Sequence, residues 1–103
     1  MQRLFIVGAG AWGTALGQIA VRSGREATIW AHGIEVAEAL NVHHENPGFL
    51  PGIQLDRSLR ATTALAEAAR ADAVLLAVPA QFLREVASRL RADAPVLICA
   101  KGI

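Results

Sequence analysis

The 103-residue sequence has one cysteine, Cys99. No internal disulfide can form, and the chain fits a reducing compartment. It also lacks an excess of either charge: 10 Lys+Arg stand against 9 Asp+Glu, a formal charge of +1. That balance argues against a nucleic-acid binder, which carries a basic stripe, and against a polybasic membrane-surface module. No apolar run approaches the ~20 residues a membrane span needs. Gln2 and Arg3 lead straight into a strand-like run, so no signal peptide is expected and the expected location is cytoplasmic. No serine sits in a G-x-S-x-G nucleophile elbow. No G-K-[ST] follows the glycines, which excludes a P-loop NTPase. His43 and His44 are adjacent and cannot share a helix face as metal ligands would. With no Cys/His cluster beside them, no metal site is expected.

What is present is apolar: 53% of the residues are hydrophobic. That is too much for disorder and enough for one domain, residues 1–103, with a buried core. Residues 3–7 read as a strand buried on both faces. A glycine loop follows at once, and residues 14–23 carry apolar positions at helical spacing, Ala15, Leu16, Ile19 and Ala20. Gly24 is placed to end that helix in the left-handed conformation. Residues 27–30 form a second strand and 34–40 a short helix. Residues 41–57 hold Pro47, Pro51, Gly48 and Gly52 and read as a loop of unusual length. A short strand over 59–62, an Ala-rich helix over 64–70 capped by Thr63, and strands over 73–78 and 96–99 follow. Residues 81–91 form an amphipathic helix with Phe82, Val86 and Leu90 inward and Arg84, Glu85, Ser88 and Arg91 outward. The alternation specifies an α/β fold, a doubly wound parallel sheet of about five strands.

Gly8-Ala9-Gly10-Ala11-Trp12-Gly13 falls between the first strand and the first helix. A lone G-x-G-x-x-G is weak, but inside a β-α-β unit it marks dinucleotide binding. Gly8 permits the tight turn, Gly10 lets the backbone approach a pyrophosphate, and Gly13 lets the helix pack close to the strand. The helix N-terminus then faces the anion. The alternative is an ordinary glycine-rich turn. An NAD-specific site has Asp or Glu at the end of the second strand, whereas this chain has Trp30-Ala31-His32-Gly33 and no carboxylate before Glu35. The cofactor is therefore NAD or NADP, with tolerance of NADP favoured. His32 either hydrogen-bonds a 2′-phosphate or is a solvated loop residue.

Open α/β sheets bind ligands outside the carboxyl ends of their strands, and two such ends stand out. After Val78-Pro79, Phe82 opens a helix beside the expected crevice, although periodicity alone puts it in the core. After the last strand, Lys101 either meets a phosphate or carbonyl at the crevice mouth or is simply solvated. Cys99 reads as a buried small hydrophobe.

Four segments together resemble bacterial NAD(P)-dependent sn-glycerol-3-phosphate dehydrogenase. They are Gly8-Ala9-Gly10-Ala11-Trp12-Gly13-Thr14-Ala15-Leu16-Gly17, Asn46-Pro47-Gly48-Phe49-Leu50-Pro51-Gly52, Ala77-Val78-Pro79-Ala80-Gln81 and Ala100-Lys101-Gly102-Ile103. The resemblance covers essentially the whole chain. It implies an oxidoreductase that interconverts dihydroxyacetone phosphate and sn-glycerol 3-phosphate with NAD(P)H, for phospholipid precursors. Gly8, Ala9, Gly10, Ala11, Trp12 and Gly13 would hold the cofactor; Ala11 stands where the family usually has serine. His32 would touch the adenosine ribose or its phosphate, Phe82 would lie near the cofactor, and Lys101 would contact cofactor and substrate. The family's second, mostly helical domain, with its acid/base lysine, is not in these residues, so a cofactor half with little or no turnover alone is expected. The implied partners are a dinucleotide and, in the longer enzyme, a phosphorylated three-carbon substrate. An apolar edge left uncovered would dimerise or aggregate, so a homodimer is allowed for. A related hydroxy-acid dehydrogenase and a non-catalytic dinucleotide-binding module are the alternatives.

Overall fold

A computed structural model describes residues 2–90 and 94–99. Five parallel strands lie in the order β3-β2-β1-β4-β5: β1 (Arg3–Val7), β2 (Glu26–Trp30), β3 (Arg60–Thr62), β4 (Ala73–Leu76) and β5 (Val96–Ile98). Helix α1 (Ala11–Arg22) joins β1 to β2, and α2 (Ile34–Glu38) opens the passage to β3. After β4 a single 3-10 turn, Ala80–Phe82, leads into α3 (Leu83–Arg89). The expected doubly wound parallel sheet is what the chain forms.

The period-2 geometry of a strand sends alternate residues to opposite faces, and β1, in the centre, is apolar on both. Phe5 and Val7 pack with Trp30, Val74, Leu76, Leu65 and Val86 on one face. Ile6 packs with Ala20, Ala27, Ile29, Leu40 and Leu59 on the other. Register aligns Val7 with Trp30 on one side and Leu76 on the other. Three strands therefore end level, and the site described below lies at that end.

Helix α1 begins three residues earlier than the spacing predicts, because the second half of the glycine segment is itself the first helical turn. It ends as expected: Gly24 has φ 91°, and its N–H donates to the Val21 carbonyl. Helix α2 runs into a wide π-type turn, Ala39–His43, that stops at His44 in the left-handed region, φ 55°. This turn aims Asn41 at β3. Its amide donates to the Ala61 carbonyl at 2.9 Å and accepts the Ala61 N–H at 2.8 Å. The outer edge of β3 is thereby occupied at that residue, which blunts edge-to-edge pairing.

Three expectations are corrected. The segment before β4 is a 3-10 helix, Leu65–Arg70, without a Thr63 cap. Thr62 ties the turn ahead of it instead: its hydroxyl accepts the Ala64 N–H at 3.1 Å and donates to Glu67 at 2.6 Å. The crossover must carry the chain from β3 past β2 and β1 in ten residues (63–72), and a 3-10 helix rises about 2.0 Å per residue against 1.5 Å for an α-helix. Strand β5, last in the sheet among the described residues, is exposed at Val96, Leu97 and Ile98 rather than buried, with no described element covering its faces. Cys99 is half-buried and free, not a core residue.

The amino ends of β1 and β4 are clamped by Asp72, whose carboxylate accepts the N–H groups of Arg3 and Gln2, both at 2.9 Å. These two bonds hold its carboxyl below the usual 3.8. A carboxylate whose pKa is lower folded than unfolded stabilises fully above its unfolded pKa, and that contribution is lost as pH falls through the folded value. The stability gap between wild type and Asp72→Asn is therefore expected to be full above about pH 4 and to close on further acidification. Thermal melts from pH 7 to pH 2 check this. The exposed ion pair Arg3–Glu26, at 3.5 Å, contributes little.

Candidate dinucleotide site

Strand β1 has β2 on one side and β4 on the other, so the chain order reverses there and leaves a crevice at the carboxyl ends. In that crevice lies a cleft of 470 Å³, within the ~300–1,000 Å³ range of small-molecule sites. The glycine loop lines it with Gly8, Ala9 and Gly10; β2 contributes Trp30 and its sequel His32; Ala77 to Pro79 and Phe82 close the side of β4.

The three glycines of the motif have separate reasons. Gly8 has φ 124°, and a Cβ there would stand 2.6 Å from the Ala77 carbonyl oxygen. A Cβ on Gly13 would stand 1.9 Å from the Gly8 carbonyl oxygen. Both are glycine because the backbone of this fold occupies the space. Gly10 is different. Its φ is −74° and, among the described residues beyond its chain neighbours, no atom lies within 4 Å of where its Cβ would be. The fold does not require glycine at residue 10, but a ligand backbone passing close to it would.

Gly10 is also the N-cap of α1, with no side-chain cap and no acidic residue in the first turn. The free N–H groups and positive dipole end of a twelve-residue helix are therefore left for an anion.

A second layer holds the loop still. Asn46 is buried, and its amide nitrogen donates to the Ala9 carbonyl at 2.7 Å and the Thr14 hydroxyl at 2.8 Å. Its backbone carbonyl accepts the N–H groups of Phe49 and Leu50. The long loop is thus a compact turn anchored on the glycine loop, and it carries Phe49 to the rim of the cleft. Asn46→Ala leaves the buried Thr14 hydroxyl and the Ala9 carbonyl short of a donor. The expected cost is about 1–3 kcal/mol of stability, measured by urea unfolding, with weaker dinucleotide binding because the loop is no longer held.

Of the residues expected at the site, Gly8, Ala9, Gly10, His32 and Phe82 line this one cleft. Phe82 is 45% exposed and corrects the core placement that periodicity gives. Ala11, Trp12 and Gly13 form the first turn of α1 and do not line the cleft. Trp12 is turned toward the end of β5, where its indole N–H donates to the Cys99 carbonyl. Lys101 lies outside the described residues. Phe49, Glu85 and Arg89 also line the cleft, although the sequence assigns Phe49 no role and helical periodicity puts Glu85 on the outward face. The signal for Arg89 was its place three residues after the buried Val86.

A smaller hollow of 250 Å³ at the amino ends of the strands is lined by Arg3, Glu26, Arg60, Glu67 and Arg70, among others. It mixes both charge signs, has no glycine backbone, and sits at the end of the sheet where such folds do not bind ligands. Among the described residues no group of three or more His, Cys, Asp or Glu could hold a metal ion, and no helix is long and apolar enough to cross a membrane.

Comparison with known proteins bears on this cleft. The family model described as NAD-dependent glycerol-3-phosphate dehydrogenase N-terminus matches residues 3–103. The chain is 50% identical over 106 residues to a glycerol-3-phosphate dehydrogenase [NAD(P)+] of Parvibaculum lavamentivorans, covering 99% of this chain and 32% of that protein. It is 52% identical over 107 residues to the protein of the same name from Paramagnetospirillum magneticum, covering 100% of this chain and 39% of that one. The crystal structure of glycerol-3-phosphate dehydrogenase from Coxiella burnetii superposes with a TM-score of 0.86 at 25% identity, over 99% of this chain and 33% of that one. The chain thus spans about a third of the length of the curated relatives it matches.

Proposed function

Because the chain belongs to the family of NAD-dependent glycerol-3-phosphate dehydrogenase N-termini, we propose that it is the cofactor-binding domain of an NAD(P)-dependent dehydrogenase. The reaction is the interconversion of dihydroxyacetone phosphate and sn-glycerol 3-phosphate, acting in the cytoplasm. The observation that carries this reading is Gly10: a glycine the fold does not need, at an uncapped helix N-terminus, opening on the cleft at the switch point.

The residues fit a dinucleotide. The pyrophosphate belongs over Gly8, Ala9 and Gly10, against the N–H groups of Ala11, Trp12 and Gly13. The adenosine half belongs beside Trp30 and His32, and Phe82 and Phe49 supply apolar walls. When bound, the nicotinamide supplies the hydride chemistry, and the protein's part is to hold and aim it. Lys101 is proposed as a contact to cofactor and substrate on the family resemblance alone. The remaining two thirds of the relatives' length is proposed to supply the substrate contacts, so the 103 residues should bind cofactor without turning over dihydroxyacetone phosphate.

Fluorescence titration with NADH and, separately, NADPH tests the reading, since Trp30 lines the cleft and emits where the reduced nicotinamide absorbs. Saturable quenching by both is expected. A linear, unsaturable response to both would overturn it.

A further inference from the structure

One end of the cleft carries positive charge that the glycine loop does not account for. Arg89, in the last turn of α3, places its guanidinium carbon 5.9 Å from the centroid of the Trp30 ring. The imidazole of His32 meets the same indole edge-on, with centroids 5.9 Å apart. All three residues line the cleft. The indole is fixed, being 6% exposed, with its N–H donating to the Thr63 carbonyl at 3.0 Å.

We propose that Arg89, over the Trp30 ring, is a specificity-determining residue that accepts the 2′-phosphate of NADP at the adenosine end of the cleft. The assignment rests on the dinucleotide reading above and adds the ligand group that this end recognises. The planar guanidinium offers its N–H donors as a fork, and that edge matches two phosphate oxygens at once. The cation–π contact with Trp30 favours a position beside the cleft before the ligand arrives, so less rotamer freedom is lost on binding. No ion pair joins Arg89 to a carboxylate among the described residues. Glu85, one turn earlier on α3, lines the same cleft and opposes an added phosphate. Glu35, the first carboxylate after Trp30, packs against Gly33 and does not line the cleft. Selectivity at this end is thus set by α3 more than by the residues following β2, where a carboxylate usually decides it.

The test is the ratio of NADPH to NADH affinity for the 103-residue chain, by the same fluorescence titration, in three proteins. Arg89→Met is expected to lower the ratio roughly tenfold or more, as loss of a charged hydrogen-bond pair does. Glu85→Gln, at an exposed position that leaves the fold intact, is expected to raise it severalfold. Opposite movement of the two ratios supports the assignment. If Arg89→Met weakens both cofactors equally, Arg89 serves the shared adenosine or the packing of Trp30, and the assignment is overturned. Ratios unmoved in both variants overturn it as well. Failure of the wild-type chain to bind either cofactor would instead strike the dinucleotide reading, and this assignment with it.

Discussion

Gly13→Ala is expected to destabilise the chain by about 3 kcal/mol or more, at the upper end of what overpacking a filled site costs. The added methyl would stand 1.9 Å from the Gly8 carbonyl oxygen and 3.0 Å from its carbon. Both atoms are backbone, so no rotamer change relieves the clash. Gly8 cannot retreat either: it is already in a positive-φ conformation, and its far side is filled by the Ala77 carbonyl. Relief requires lifting α1 off the loop, which disturbs the contacts of Ala20 with Ile6 and Ile29. For a domain near 100 residues this corresponds to a drop in Tm of roughly 12–24 °C. Gly17→Ala is the useful contrast. Its methyl meets the Leu59 and Ile29 side-chain tips at 2.8 and 3.0 Å, flexible ends that can give way, so the loss should be smaller. Thermal melts of the two variants side by side check the order. If Gly13→Ala melts as wild type does, α1 does not sit on the glycine loop as described.

Gly10→Val should do the reverse, sparing the fold and removing the ligand. The position is extended, φ −74° and ψ −172°, which a β-branched residue adopts readily. Among the described residues, open space surrounds the missing Cβ. The cost to stability is then the modest one of changing an N-cap, about 1 kcal/mol. For the bound dinucleotide the same isopropyl group occupies the path of the pyrophosphate. Steric conflict worth about 1–3 kcal/mol weakens NADH and NADPH alike by roughly five- to more than a hundredfold. Calorimetric or fluorescence titration reads that loss, and a melt on the same sample reads the fold. Unchanged affinity for both cofactors would remove the observation on which the functional reading stands.

The contrast among these glycines shows how far the sequence could be read. The motif spacing marked Gly8, Gly10 and Gly13 together, and the buried runs of β1, β2 and β4 announced a parallel sheet. Hydrophobic runs do not say which strand lies at an edge, so the exposure of Val96, Leu97 and Ile98 was not legible. Periodicity put Phe82 inside because it assumes 3.6 residues per turn throughout. The actual first turn, Ala80–Phe82, is a 3-10 turn of 3.0, which shifts the phase and turns Phe82 to the cleft. The 46–52 loop was visible as a feature without a purpose, because the partners of Asn46 lie 32 and 37 residues away. Long-range side-chain hydrogen bonds leave no local trace in a sequence. The same holds for Arg89, which meets Trp30 only after the sheet has brought α3 and β2 together.

The central claim is one of place: the dinucleotide binds at the carboxyl ends of β1, β2 and β4, over the glycine loop. A chain of 10.9 kDa suits two-dimensional 15N–1H correlation spectroscopy, and the most direct measurement is a spectrum recorded during addition of NADPH. The largest shifts are expected at the amides of Gly8, Ala9, Gly10, Val78 and Phe82 and at the indole of Trp30, with Arg3, Glu26 and Arg60 at the opposite end of the sheet little changed. Shifts gathered instead around Arg3, Glu26, Arg60 and Arg70, with the glycine-loop amides unmoved, would contradict the account.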